Sequence, residues 1–197
     1  KKLELPESLS NLGRIRYKGN FTGFIDDFVA YGTLNTRLGE ISTDLLIQPR
    51  QVSGLAMKGN LQTRNFNIGG LLNNPEKFGR FSMDIQVKGS IFKDHGFRAE
   101  TDGNIKKLEI NKYNYQNIRL NGLLTNNKYD GSLSIEDPNI KFDFQGGIDF
   151  SSQIPVFDFH AEISKARLHK LNFAPEDTTA NLSLTMRSNF RGNSLDN

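Results

Sequence analysis

The sequence predicts an all-β chain folded as an antiparallel meander, and three observations carry that prediction. Apolar residues recur at every second position, as in "FDFQGGIDFSSQIPVFDFHAEI" (142–163), where Phe142, Phe144 and Ile148 are answered by Phe157, Phe159 and Ile163. Successive side chains of a strand point to opposite faces, so a period of two marks strands that are oily on one side. A phrase of the form apolar, x, apolar, x, Gly, x, apolar returns along the chain. Turn residues punctuate these runs, and no segment shows a clean helical stripe.

Taken in order, "IRYKGNF" (15–21) sets Ile15, Tyr17 and Phe21 on one face, and "LAMKGNL" (55–61) does the same for Leu55, Met57 and Leu61. "IQVKGSI" (85–91) aligns Ile85, Val87 and Ile91, and "IRLNGLL" (118–124) aligns Ile118, Leu120 and Leu124. The two halves of the 142–163 segment follow, and a last strand carries Leu182, Leu184 and Met186. The phrase glycines Gly19, Gly59, Gly89, Gly122 and Gly146 lie 40, 30, 33 and 24 residues apart, too irregular for a solenoid of fixed rung length. Between strands, "TNNKYDG" offers Asn126 and Asn127 for a positive-φ hairpin turn, and "EDPN" sets Pro138 after Asp137 as in a type I turn. About ten strands fit the length. The chain reads as a single continuous β-rich segment over 1–197, with sheet breaks expected near 72–80, around Pro75, and near 164–178.

Parity gives sharper expectations. Leu120, Phe144 and Phe159 should project to the oily face, and their neighbours Arg119, Asp143 and Asp158 to the other. The phrase glycines share the oily parity, which suits a kink that lets the sheet curl or, alternatively, room for a ligand. An antiparallel sheet with one oily face and no helices to cover it must close into a barrel, pair with a second sheet, or meet something else apolar.

Composition removes several functions. With no Cys there are no disulfides and no thiolate metal sites. The balance of 25 Lys and Arg against 22 Asp and Glu is spread along the chain, which gives no nucleic-acid footprint. No apolar run reaches the 18 residues of a membrane helix, and "KKLELPESLS" lacks the pattern of a signal peptide, so the chain reads as a piece of something longer. His95, His160 and His169 form no metal-binding spacing, and the adjacent Asp26 and Asp27 point to opposite faces. Glu136 and Asp137 read as turn chemistry. No nucleophile elbow or phosphate loop is present, so no enzyme and no cofactor is expected.

The stretch 113–172, with "YDGSLSIEDPNIKFDFQGGIDFS" and "PVFDFHAEISKARLHKLN" at its centre, resembles the translocation and assembly module B (TamB) and AsmA-like proteins, particularly the long periplasmic members of Bacteroidetes. Segment 19–47 is similar more weakly. The resemblance implies an elongated, taco-shaped β-groove with a hydrophobic interior, crossing the periplasm in a protein anchored in the inner membrane. It also implies conduction of phospholipid or other acyl chains toward the outer membrane, and an outer-membrane barrel of the Omp85 type as partner. On that reading the eighteen apolar residues named strand by strand above, Ile15 to Ile163, line the groove. The alternative is a structural or adhesive β-sandwich with a dry core. A transmembrane barrel ranks third, because Arg16, Lys18, Lys58 and Lys88 suit a solvated exterior.

Overall fold

A computed structural model describes residues 10–50, 54–92 and 96–192. Within them the chain is a single antiparallel sheet of eleven strands laid side by side in sequence order. These are β1 (Arg16–Phe24), β2 (Asp27–Thr36), β3 (Gly39–Arg50), β4 (Gly54–Asn67), β5 (Phe78–Phe92), β6 (Gly96–Ile110), β7 (Tyr113–Thr125), β8 (Lys128–Asp137), β9 (Ile140–Asp149), β10 (Val156–Arg167) and β11 (Asn181–Arg191). One helical turn, α1 (Ile68–Leu71), lies between β4 and β5, capped by Asn67, whose side chain accepts from the Gly70 N–H at 2.9 Å. The sheet is curled but not closed, because β1 and β11 do not pair. At about 4.8 Å per strand it extends about 48 Å from first strand to last.

Three expectations need correction. The segments near 72–80 and 164–178 do not break the sheet: β4 pairs with β5 and β10 with β11, and residues 68–77 and 168–180 are excursions between paired neighbours. Positive φ falls at Asn111 and Lys112, the two residues joining β6 to β7, and not at Asn126 and Asn127. The Asn126 side chain instead accepts from the Phe97 N–H at 2.9 Å, tying its turn to a neighbouring hairpin. The β-sandwich alternative requires a second sheet, and the described residues contain only one. His95 lies outside the described residues. No helix among the described residues is long and apolar enough to cross a membrane.

The two ends of the strands differ. At one end the register slips by a residue at Asn65 in β4, Lys106 in β6 and Ser164 in β10, and β7 carries Asn117 opposite Lys106. Asn65 and Asn117 adopt φ of 52° and 51°, which asparagine tolerates better than most side chains. A bulge bends its strand and steepens the twist, so a line of them across the sheet turns the last residues of these strands inward. Two segments then cover the apolar face at that end. Leu12 packs with Leu38 and Phe66, helped by Leu71, and the Asn11 side chain donates to the Leu71 carbonyl at 2.9 Å. Leu171, in the 168–180 connection, is 1% exposed against Tyr115, Ile118 and Ala166, and the Asn172 side chain donates to the Asn111 carbonyl at 2.8 Å. Full burial of such a leucine contributes roughly 1.5–3 kcal/mol. We call this the braced end.

A clasp completes it. Asp137, buried on the apolar parity, accepts from the Tyr113 hydroxyl, from the Gln116 N–H at 3.0 Å and from the Asn139 N–H at 2.8 Å. The "EDPN" turn is thus fastened to β7 just where β7 and β8 cease to pair below Ile118 and Ile135. Burial, first, and the bond to Asp137, second, push the Tyr113 hydroxyl above its ordinary pKa of 10.0.

Candidate functional site

Because partners in an antiparallel ladder share a face, the register converts the strands into rows that run across the whole sheet. One row reads Tyr17, Leu34, Ile41, Thr63, Met83, Ile105, Ile118, Ile135, Phe142, Ile163, Leu184 from β1 to β11. Thr63 is its single polar member. The next row toward the other end holds Leu61, Ile85, Leu120, Leu133, Phe144 and Met186. A third carries Phe21, Leu45, Val87 and Phe159 with four glycines between, and a fourth carries Phe28, Ile47, Met57, Leu124, Tyr129, Ile148, Phe157 and Phe190. Leu55 and Ile91 pair in a short fifth. Every residue named from the sequence for the oily face falls in these rows except Ile15, which precedes β1 and is exposed.

The opposite parity gives the contrasting row Lys18, Thr33, Ser42, Gln62, Asp84, Asn104, Arg119, Ser134, Asp143, Glu162, Thr185, polar without exception. Asp158 shares that polar face, opposite Gly147 and Asn189. The sheet is therefore two-sided along its full length.

Aromatic rings tie neighbouring strands on the apolar face. Phe144 lies 5.2 Å from Phe159 and 6.0 Å from Tyr129 between ring centroids, and Phe157 stacks on Phe190 at 6.1 Å. Tyr17 sits 4.7 Å from Phe21, and its ring reaches over Gly19 and Gly32. Burial and the charge of Asp130 raise the Tyr129 pKa, and its hydroxyl donates to the Ser132 carbonyl at 2.7 Å.

At the row glycines a side chain would meet the backbone of the neighbouring strand. A Cβ on Gly146, whose φ is 131°, would stand 2.3 Å from the Asp158 carbonyl oxygen, and one on Gly122 would stand 2.6 Å from that of Asp130. Gly122, Gly131 and Gly146 are in register, so three adjacent strands approach too closely there for a side chain. Of the two sequence readings of these glycines, close approach and curl is the one the backbone supports.

Not all the named residues are accessible. Ile118 is 2% exposed, Val87 is buried, and Ile163 packs against the Leu171 cluster, so the chain itself covers part of the face. Beyond the bulge line, toward the bare end of the strands, no connection covers the face and much of it is partly open, although Leu45 and Val87 are buried there. Its large apolar side chains toward that end include Phe21, Ile91, Phe97 and Leu124, and the turns add Phe24, Ile25, Phe150 and Ile154. Residues overlooked in the sequence reading of the face lie mostly on β2, β3, β6 and β8, which carry no glycine phrase. Plain alternation, as in "SLSIED" with Leu133 and Ile135, was the available signal.

No group of three or more His, Asp or Glu side chains that would hold a metal exists among the described residues. Searches against protein-family models, curated proteins and solved structures find no match.

Proposed function

We propose that the chain is a length of hydrophobic β-groove that carries lipid acyl chains between the inner and outer membranes and supports outer-membrane assembly. On this reading the full-length protein is anchored in the inner membrane and spans the periplasm. It meets an outer-membrane barrel of the Omp85 type at its far end. The observation that carries the reading is the set of apolar rows crossing all eleven strands on one face. They form a track about 48 Å long with few polar side chains in it. An apolar face of that extent is a liability in water unless something apolar lies on it. Each acyl methylene laid there contributes about 0.8 kcal/mol. A shallow wall without a deep pocket favours sliding over storage, and the resemblance of residues 113–172 to TamB and AsmA-like proteins supplies the lipid as cargo.

Parity tests it. A photo-crosslinking amino acid at 120, 144 or 159 in cells is expected to capture lipid, and at 119, 143 or 158 to capture none. Lipid captured at both parities, or at neither, overturns the proposal.

A further inference from the structure

On the polar face, behind the apolar rows, four cations gather around a recess. Lys58 stands directly opposite Lys88 in the β4–β5 ladder, and its other neighbour, on β3, is Leu46. Like charges set opposite one another weaken a sheet, so folding alone does not favour this pair. Arg98 lies diagonally from Lys88, across from Ser90, and Arg50 stands toward the bare end. Between them is a concavity of about 310 Å³, floored by the buried Ala56 and the half-buried Leu46 and Leu123. Among the described residues one carboxylate lines it, Glu100, 3.6 Å from the Lys88 ammonium, and that pair is open to water. Four cations against one carboxylate leave a surplus of three positive charges. The other acids near by sit outside the recess. Asp44 and Asp102 lie one row toward the braced end, opposite Asn60 and Asn121, and Asp130, beyond Leu123, pairs with Lys128 at 3.3 Å.

We propose that this recess binds a soluble anion carrying two phosphate groups, a diphosphate or a diphosphate ester. A phosphate ester carries about −1.5 to −2 charges at neutral pH, so two phosphates answer the surplus where a lone carboxylate does not. Opposed residues on neighbouring strands have Cβ atoms about 5 Å apart and diagonal ones about 7–8 Å, which lets the two lysines share one phosphate while the planar fork of Arg98 takes the other. The apolar floor keeps water from one side of the bound anion and strengthens the attraction. The recess lies near the small end of ligand sites, which suits a compact anion better than a polymer. It faces away from the apolar rows and does not depend on the lipid reading.

The probe is pyrophosphate, titrated into the whole chain by isothermal calorimetry. Its affinity is expected to fall as salt rises, and acetate at the same concentration should not displace it. Lys58→Gln with Lys88→Gln should weaken binding by about tenfold or more. Lys18→Gln with Arg119→Gln removes the same charge from another row of the polar face and should change it by less than about twofold. Glu100→Gln removes the competing carboxylate and should tighten binding about threefold, a gain that no loss of folding imitates. Equal weakening by the two double variants, displacement by acetate, or no gain with Glu100→Gln overturns the proposal, as does the absence of any pyrophosphate binding. Phosphatidylcholine vesicles containing phosphatidic acid that bind the parent chain but not Lys58→Gln with Lys88→Gln, while pyrophosphate stays unbound, assign the cations to a membrane surface and also overturn it.

Discussion

The braced end and the bare end belong to the same strands and share the same alternation, yet one is dry and the other wet. At the braced end Leu171 is almost wholly buried, while at the bare end Ile25 is 93% and Phe24 80% exposed. Hydrophobicity does not separate them, since both are rich in apolar side chains. What separates them is backbone irregularity. The bulges at Asn65, Lys106 and Ser164 lie toward the braced end, whereas toward the other the described register runs without a shift. A regular ladder keeps its side chains standing off one face, and a bulged one folds them onto each other. The difference teaches that a single-layer sheet gathers a clustered core where its backbone departs from the ideal pleat or a connection folds back over it, while on the regular ladder burial is confined to scattered residues such as Leu45 and Val87.

Variants can break or sharpen this contrast, and the largest effect is expected at Leu171. Leu171→Ala removes the side chain that ties the β10–β11 connection to Tyr115 and Ile118, and should cost 2–5 kcal/mol in urea unfolding. A cost below about 1 kcal/mol would mean that the brace does not hold the sheet. Gly146→Val, midway between the ends, sets a β-branched residue at positive φ against the Asp158 carbonyl and should cost about 2–3 kcal/mol. An unchanged melting temperature there would restore the view that the glycine row makes space.

The clasp should be smaller and pH-dependent. Tyr113→Phe removes one hydrogen bond to the buried Asp137 carboxylate, a loss of about 1.5 kcal/mol at neutral pH. Because the folded-state pKa of Tyr113 is raised, the stability this tyrosine adds is full below pH 10 and fades as pH climbs through the folded value. The gap between the parent chain and Tyr113→Phe should therefore narrow only in strong alkali, and a gap that closes on acidification alone would refute the assignment. Thr63→Val is predicted to stabilise by about 1 kcal/mol, because the buried Thr63 hydroxyl has no hydrogen-bond partner in an otherwise apolar row. At the bare end, Phe24→Ser with Ile25→Ser should shift stability by no more than about 0.5 kcal/mol, while lowering the binding of a hydrophobic dye. A large loss of stability from that pair would show that the bare end has a core of its own.

The alternation of apolar and polar residues determined the all-β class, the meander and the face that each named side chain occupies. That is a local property: a period of two survives in the sequence whatever the neighbouring strands do. The "EDPN" turn was legible for the same reason, since Asp137 reaches a backbone donor only two residues on. Tertiary structure decided which part of the oily face stays open. Of the three bulges, the one at Asn65 has an asparagine in the left-handed region and the one at Lys106 has Asn117 opposite it; Asn73, Asn111 and Asn172 enter the same region in connections, while Asn126 and Asn127 do not. The brace depends on Asn172 meeting Asn111, 61 residues away, and on Leu171 reaching across strands to Tyr115. Contacts at that separation leave no period in the chain, so residues that read alike in sequence, such as Ile118 and Leu124, end respectively in a sealed core and on an exposed rim.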